Sequence, residues 1–275
     1  CFFKSIDGKI INMQPSSIGL ISATQAEAGI ILRNLKKTGA ENFYKGKIGN
    51  CDVVLVISGI GKANAARAVT LLVEKFSPSL VINFGIGGAY PSAKLKTGDI
   101  AIADKEIYGD EGLLLKDGFH KTDVMGIPLL KKGRKKYFNE FPLNKSLIRK
   151  AFKLSKLLTF NSFASGRLGR LAEESEPARG GQLLTNIETG AFVTVSTVTG
   201  TDKRAKELEK RFNAICENME GAAVAHVCAM YGIPMLEIRG ISNIVEDRNR
   251  DKWDIKTAAE NCQRAVLAFI REGKA

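Results

Sequence analysis

Two adjoining segments decide the fold of this chain: residues 233–238, Ile-Pro-Met-Leu-Glu-Ile, and residues 239–243, Arg-Gly-Ile-Ser-Asn. The first is an apolar run that predicts a buried β-strand, and the second places an amide, Asn243, where that strand ends. Upstream, residues 217–223 read Glu-Asn-Met-Glu-Gly-Ala-Ala, a carboxylate at the start of a small-residue helix. Because ligands of open α/β sheets bind beyond the carboxyl ends of the strands, we expect a ligand site there.

The polar groups of these segments suit a nucleoside. A carboxylate such as Glu220 can accept hydrogen bonds from a sugar diol, and the amide of Asn243 offers one donor beside one acceptor, as an oxopurine requires. Each residue also has an ordinary explanation. An acid in the first turn of a helix is favoured by about 0.3–1 kcal/mol, and Asn often forms turns after strands. The helix dipole does not explain the small residues after Glu220, which allow neighbouring elements to approach closely.

Strand and helix patterns alternate along the chain. Strands are predicted at 17–23, 42–48, 51–57, 79–84, 99–103, 192–196, near 214 and at 233–241, and helices at 24–37, 63–75, 202–211, 219–230 and 255–271. A glycine-rich loop is expected between the fourth and fifth strands. The alternation predicts an α/β fold with a mixed sheet covered by helices on both faces. We expect a single domain over residues 16–275, preceded by an N-terminal extension or cloning remnant over residues 1–15.

Composition excludes several classes of protein. Hydrophobic residues make up 44% of 275 residues, enough for a sizeable core. No apolar run approaches the roughly 18 residues of a membrane span, so no membrane association is expected. The five cysteines are scattered without a Cys-x-x-Cys pair, and there are two histidines. This usage predicts reduced thiols in a cytoplasmic protein, with no disulfide framework and no metal site.

The net charge of +12 is concentrated in residues 131–156, where ten Lys or Arg accompany one acid, Glu140. A nucleic-acid or membrane surface is one interpretation. We favour a basic loop followed by an amphipathic helix, because Leu147, Ala151, Leu154 and Leu158 recur at helical spacing. No nucleic-acid partner is therefore expected.

One glycine-rich turn resembles a nucleotide-binding motif but fails as one. Residues 59–64, Gly-Ile-Gly-Lys-Ala-Asn, follow a strand and open a helix. Asn64 replaces the third glycine of a dinucleotide fingerprint, no ribose-binding acid follows, and Ala63 stands where a P-loop needs Ser or Thr. No cofactor is therefore predicted. The glycines indicate either a tight strand-to-helix turn or a turn lying close to a ligand.

Glu27 has two interpretations from the sequence alone. It lies three residues after Thr24, and Thr-x-x-Glu before a helix is a capping box. The same position, just beyond the first predicted strand, would suit a general base. Taken alone, the pattern favours the cap.

Six motifs occur in the order found in one enzyme family. They are residues 18–23 with Glu27, 58–62, 83–88, 98–100, 219–222 and 239–243. Over residues 16–270 the chain resembles the purine nucleoside phosphorylase/uridine phosphorylase superfamily, on its nucleosidase branch. It is similar to the methylthioadenosine/S-adenosylhomocysteine nucleosidases and more so to the futalosine hydrolases of the alternative menaquinone pathway. The resemblance implies a three-layer α/β/α sandwich around a mixed, twisted sheet and a homo-oligomer, with a dimer favoured.

The resemblance also implies roles for individual residues. Glu27 matches the acid that activates water, Glu220 the acid that grips the ribose hydroxyls, and Asn243 the residue that assists departure of the purine. Met219 matches the side chain beneath the sugar. The remaining predicted substrate-binding residues are Gly87, Ser242 and Tyr108. With the resemblance added, catalysis becomes the stronger interpretation of Glu27.

Hydrolysis is expected in place of phosphorolysis. The phosphorylases of this superfamily bring phosphate to the sugar with an arginine from an early glycine-rich loop. Residues 22–29 here contain no Arg or Lys and do contain Glu27, which would repel phosphate but suits water as nucleophile.

Asn243 predicts a 6-oxopurine substrate. The adenine-cleaving nucleosidases carry Asp at this position, which accepts from the 6-amino group. An amide instead offers NH₂ to O6 and its oxygen to N7–H, and mismatched polar groups in a desolvated pocket cost about 1–3 kcal/mol. Futalosine, a hypoxanthine nucleoside, is the expected substrate. The alternatives are a methylthioadenosine/S-adenosylhomocysteine nucleosidase, a purine nucleoside phosphorylase and a non-catalytic nucleoside-binding protein.

The 5′ side of futalosine is an apolar ring that ends in a carboxylate. The middle of the chain carries candidates for both features, with Tyr108, Ile127, Pro128 and Phe141 as the apolar slot and Lys131, Lys132 and Arg134 as the cation. A solvated basic loop is the simpler interpretation of these lysines.

Overall fold

The computed structural model describes residues 17–39, 42–161 and 185–272. The extension predicted over residues 1–15 lies outside the described residues. Fourteen strands occur in the described ranges. They are β1 Ile18–Ser22, β2 Leu35–Thr38, β3 Phe43–Ile48, β4 Cys51–Ile57, β5 Leu80–Ala89, β6 Ile100–Tyr108, β7 Gly112–Leu115, β8 Gly118–Lys121, β9 Leu130–Lys132, β10 Lys135–Tyr137, β11 Glu140–Pro142, β12 Ile187–Thr194, β13 Ala214–Asn218 and β14 Met235–Ile244.

The described residues form six α-helices, which cover both faces of the central sheet. They are α1 Gln25–Leu32, α2 Lys62–Phe76, α3 Lys145–Asn161, α4 Asp202–Phe212, α5 Gly221–Tyr231 and α6 Ile255–Glu272. Helices α1, α3 and α6 share one apolar cluster with the sheet, and α2 and α5 share another on the opposite face. Helix α4 packs on β12 and β13. The predicted three-layer α/β/α fold is confirmed.

The sheet is mixed and brings distant strands together. Its order is β11-β6-β12-β13-β5-β1-β4-β3-β2, and β14 pairs with β5 in parallel and with β6 in antiparallel fashion. Strands β5, β14, β6, β12 and β13 therefore close into a ring. Gly88 of β5 is the register partner of both Asn243 on β14 and Glu217 on β13. This pairing places the end of β14 beside the segment that leads into α5.

Two predictions of local structure are wrong, one at the end of α1 and one in the second half of β5. The helix expected over 24–37 ends at Leu32, and β2 pairs antiparallel with β3 from Leu35 onward. Pairing with β3 buries Leu35 and satisfies the backbone N–H and C=O groups of this segment. The glycine-rich loop expected after residue 84 is instead part of β5, which continues to Ala89 and pairs with β14 throughout.

The basic run is more ordered than predicted. The expected loop contains the β9–β10 hairpin and β11, which pairs with β6. The predicted helix is confirmed as α3, where Ala151 is buried and Leu147 and Leu154 pack against the core. The side chain of Leu158 lies outside the described residues. In the ranges described, no helix is both long and apolar enough to span a membrane.

Candidate active site

Glu27 is buried at the carboxyl end of β1, and both of its carboxylate oxygens are engaged. Oε2 accepts from the backbone N–H of Thr24 at 3.0 Å and from its hydroxyl at 2.8 Å. The Thr24 hydroxyl oxygen in turn accepts from the backbone N–H of Glu27 at 3.3 Å, which completes the predicted capping box. Oε1 leaves the helix altogether and accepts from the backbone N–H of Ile86 on β5 at 2.9 Å. A cap does not require that second contact.

The close approach of Glu27 to β5 depends on Gly85. A Cβ at this position would lie 2.5 Å from Oε1 of Glu27 and 3.1 Å from Nη1 of Arg239. Gly85 therefore makes room beside one strand for the carboxylate of Glu27 and the guanidinium of Arg239. This is why a glycine-rich sequence stays extended here: its small residues admit side chains from α1 and β14.

Glu220 ends the segment between β13 and α5 and points away from its own helix. It is the N-cap residue of α5, yet its side chain makes no capping hydrogen bond. Oε1 accepts from the backbone N–H of Gly61 at 2.9 Å, and Oε2 lies 3.4 Å from Nη1 of Arg239. The Gly59–Gly61 turn thus lies against a predicted catalytic acid, which favours the turn-near-a-ligand interpretation over a merely tight turn.

Arg239 contacts Glu220 and Glu237 and shares the backbone of Ile86 with Glu27, a role that the sequence did not reveal. It is 2% exposed. Its Nη1 donates to the carbonyl oxygen of Ile86 at 3.2 Å and contacts Glu220, while its Nε donates to Oε1 of Glu237 at 3.0 Å. Burial disfavours its charge, but the surrounding carboxylates, Glu237 first and Glu220 next, raise the pKa of Arg239 overall. The available signal was an Arg at an alternate position to Glu237 within an apolar strand, since i and i+2 share a face.

Asn243 lies at the end of β14 with its amide held in one orientation. Its Oδ1 accepts from the hydroxyl of Ser242 at 2.8 Å, and its Nδ2 donates to the carbonyl of Ile244 at 3.0 Å. The side chain is partly exposed, whereas Ser242 is buried. Each of these bonds uses one of two positions on the amide atoms, so one N–H and one lone pair remain for a ligand.

The other predicted substrate-binding residues occupy different surroundings. Gly87 pairs with Ile241, and its carbonyl oxygen lies 3.3 Å from the hydroxyl of Ser242, whose one proton is given to the closer Asn243. A Cβ there would meet Sγ of Cys216 at 2.6 Å, so the glycine also serves close packing. Met219 is partly exposed next to Glu220.

Tyr108 is buried in an aromatic cluster. Its hydroxyl lies 3.3 Å from Nδ1 of His226, and its ring meets Phe141 edge to face. Nζ of Lys62 lies 5.2 Å from the ring centroid, so Tyr108 is near the Gly61 turn as well. Burial and, to a smaller extent, the nearby acids raise the pKa of this phenol.

Lys132 of the basic β9–β10 hairpin reaches a helix end and not Glu27 or Glu220. Nζ of Lys132 donates to the carbonyl of Ala229 at 3.0 Å, at the C-terminal end of α5 and away from Glu220. A lysine at that end of a helix complements its dipole. Phe141 is buried between His226 and Tyr137, where it packs the core. The 5′-carboxylate role considered for the hairpin therefore gains no support from this geometry.

Residues 85–88 of β5 are the common support of the predicted catalytic residues. Ile86 bonds Glu27 through its N–H and Arg239 through its carbonyl, and Gly88 lies beside Asn243. Arg239 carries the connection on to Glu220. The site thus combines two buried acids, a guanidinium that contacts one of them and one oriented amide.

Comparison with known proteins establishes the family. A family model described as the phosphorylase superfamily matches residues 17–271. The chain belongs to the phosphorylase superfamily. Within the superfamily, the futalosine hydrolase of Thermus thermophilus is 30% identical over 219 residues, which cover 80% of this chain and 81% of that one. The 5′-methylthioadenosine/S-adenosylhomocysteine nucleosidase of Maridesulfovibrio salexigens is 26% identical over 264 residues, 93% of this chain and 99% of that one.

A solved structure supports the superfamily fold. Futalosine hydrolase of Helicobacter pylori matches with a TM-score of 0.72 and 20% identity, over 94% of this chain and 98% of that one. The resemblance drawn from six short motifs is confirmed by a match that spans most of the chain.

Proposed function

We propose that the protein is a nucleosidase that hydrolyses the N-glycosidic bond of a 6-oxopurine nucleoside, with futalosine as its substrate and hypoxanthine as the released base. The observation that carries the proposal is the oriented amide of Asn243 on the same sheet edge as Glu27 and Glu220. An amide fits the O6 and N7–H of an oxopurine, whereas a carboxylate fits adenine. The relatives named futalosine hydrolase support the same substrate.

In the proposed reaction each residue acts on a different part of the substrate. Glu220 accepts from the 2′- and 3′-hydroxyls and places negative charge near the developing oxocarbenium ion. The C1′–N9 bond breaks with its electron pair going to the base, which takes a proton from solvent at N7 and is held there by Oδ1 of Asn243. Water adds to C1′ and gives its proton to Glu27, which acts as general base.

The electrostatics around Glu27 favour water over phosphate as nucleophile. In the described part of the chain Arg239 is a cation close to Glu27, and its guanidinium is already bonded to Glu237 and Glu220. A phosphate dianion entering beside Glu27 would meet a carboxylate before it met an uncommitted cation. Water carries no such penalty.

Incubation of the purified protein with futalosine, with and without phosphate, tests this proposal. Chromatography should show hypoxanthine released at the same rate in both samples. In ¹⁸O-enriched water, the label should appear at C1′ of the sugar product. Strict dependence on phosphate would instead assign a purine nucleoside phosphorylase, and binding without turnover would assign a nucleoside-binding protein.

The second candidate is a 5′-methylthioadenosine/S-adenosylhomocysteine nucleosidase, which the relatives of that name at 26–28% identity favour. Release of adenine from methylthioadenosine faster than of hypoxanthine from futalosine would select it. A homodimer, a cytoplasmic location and a role in menaquinone biosynthesis remain predictions. Size-exclusion chromatography with light scattering measures the molar mass of the protein and so tests the homodimer directly.

A further inference from the structure

A second pair of acids lies beneath the proposed site and has no part in the proposed reaction. Glu106 of β6 and Glu237 of β14 are both fully buried. They meet beside Gly221, the first residue of α5, where a Cβ would overlap both carboxyl groups. The antiparallel pairing of β14 with β6 brings the two strands together.

The hydrogen bonds of the two acids are unequal. Glu106 accepts from the hydroxyl of Thr194 and from the amide of Asn218, each at 2.8 Å, so its partners are neutral. Oε1 of Glu237 accepts from Asn83 at 3.0 Å and from Arg239 at 3.0 Å. Oε2 of Glu237 is buried without a hydrogen-bond partner among the described residues. Oε2 of Glu237 therefore lacks a hydrogen-bond donor, and Glu237 lies next to a second carboxyl group, that of Glu106.

A shared proton resolves both features. Two adjoining buried carboxylates cannot both ionise without a large cost, and one of them then holds a proton. A protonated Glu106 would supply the donor that Oε2 of Glu237 lacks. Glu237 is the member that contacts a cation, so it keeps the negative charge.

The pair also supports the residues that leave Glu220 free. Asn218 accepts through Oδ1 from the backbone N–H groups of Glu220 at 3.0 Å and Gly221 at 2.7 Å. The hydroxyl oxygen of Thr194 accepts from the N–H of Ala222 at 2.7 Å. Because these two side chains cap α5, the carboxylate of Glu220 is not needed as a cap. Both of them are held in turn by Glu106.

We propose that Glu106 and Glu237 share one proton, carried by Glu106, and that this pair positions Glu220 through the α5 cap on one side and Arg239 on the other. The shared proton is independent of the proposed function, whereas the positioning role rests on it. Burial and the adjoining Glu237 raise the pKa of Glu106 well above its usual range. The charged or titratable groups around the pair are Arg239, Glu27, Glu220, Cys216, Cys228 and Tyr108.

Infrared spectroscopy tests the shared proton without any substrate. In protein labelled with ¹³C at glutamate carboxyls, the wild type at neutral pH should show the C=O stretch of a protonated carboxyl group. Glu106→Gln should abolish that band, while Glu74→Gln, at an exposed position, should leave it unchanged. Absence of the band in the wild type, or its persistence in Glu106→Gln, would overturn the proposal.

Kinetics tests the positioning role with conservative variants. Glu106→Gln keeps a neutral donor and leaves the charge on Glu237, so kcat/KM should stay within about threefold of wild type. Glu106→Ala removes the support of the cap, and Glu237→Gln shifts the pair's negative charge to Glu106, away from Arg239. Each should lower kcat/KM by about tenfold or more, and circular dichroism should show that both variants are folded. Equal losses in Glu106→Gln and Glu106→Ala would contradict positioning by a neutral acid.

The two experiments separate failure of the inference from failure of the proposed function. A wild type that cleaves no 6-oxopurine nucleoside but loses its band in Glu106→Gln would refute the function and support the shared proton. A wild type that cleaves futalosine and keeps its band in Glu106→Gln would support the function and refute the pair.

Discussion

The backbone N–H of Gly61 donates to Oε1 of Glu220 at 2.9 Å, a contact between the turn that opens α2 and the residue that precedes α5. Gly61 adopts φ of 95°, and no atom lies within 4 Å of the place where its Cβ would be. The glycine is therefore required by backbone conformation and not by lack of space. This conformation aims one N–H at Glu220, the acid proposed to hold the ribose, and we infer that the turn therefore resembles a phosphate-binding motif without serving as one.

Gly61→Ala should lower activity through loss of the N–H contact with Glu220. An L-residue at this φ costs of order 1–3 kcal/mol or relaxes, and relaxation would turn the N–H away from Glu220. We expect a drop in kcat/KM of about tenfold, as follows from losing a hydrogen bond to a charged group. Gly133→Ala is the matched control, since Gly133 also has positive φ and open space but lies in the β9–β10 turn. A similar loss of activity in both variants would contradict the role of the N–H.

The cap and the base functions of Glu27 can be separated by two substitutions. Thr24→Ala removes the capping hydroxyl and leaves the carboxylate, so it should cost about 1 kcal/mol of stability and change kcat only severalfold. Glu27→Gln removes the base and should lower kcat by about 10²–10⁴-fold. Steady-state kinetics together with urea unfolding measures both effects. Near-normal turnover in Glu27→Gln would leave Glu27 as a cap alone.

The positions of Glu220 and Asn243 in the fold were predictable because their sequence signals are local. Glu220 at a helix start and Asn243 at a strand end follow from the chain pattern alone, and the structure brings them to one edge. Arg239 was within a recognised motif, but its function depends on Ile86 and Glu220, which belong to other elements. A sequence read one element at a time does not reveal such contacts.

The two wrong predictions and the unpredicted Glu106–Glu237 contact have the same origin. Residues 35–38 carry no strong strand signal, and their pairing with β3 decides their state. The glycines of β5 read as a loop until the side chains of Glu27 and Arg239 are seen to fill the space beside them. The Glu106–Glu237 contact depends on the pairing of β6 with β14, two strands that lie far apart along the chain. Tertiary pairing overrides local propensity in each case.

Arg239 should be more sensitive to replacement alone than together with its partner. Arg239→Met leaves Glu237 and Glu220 buried without their cation and should cost about 3–5 kcal/mol of stability. Adding Glu237→Gln removes one unpaired charge and should recover part of the loss. Chemical denaturation of the four members of this cycle gives the coupling free energy. Simple additivity of the two substitutions would contradict the contact.

The stability of wild type and Glu106→Gln should diverge as pH rises. Burial raises the pKa of Glu106 in the folded state, so folded protein keeps a proton that the unfolded chain loses above about pH 4.3. Between about pH 4.3 and the raised pKa of Glu106, the wild type loses stability with rising pH, by up to about 1.4 kcal/mol per pH unit. The glutamine side chain of the variant does not titrate, so the variant should gain on the wild type from about pH 5 to about pH 7. A pH-independent difference in urea unfolding would contradict the raised pKa.

The amide at position 243 is proposed to select oxopurine nucleosides, and competition between two substrates in one tube measures that selection. Futalosine and methylthioadenosine are mixed at equal concentration without phosphate, and the two released bases are quantified from one tube, which gives the ratio of kcat/KM values. The wild type should release hypoxanthine in large excess, and Asn243→Asp should shift the ratio toward adenine. Excess adenine from the wild type would contradict the account.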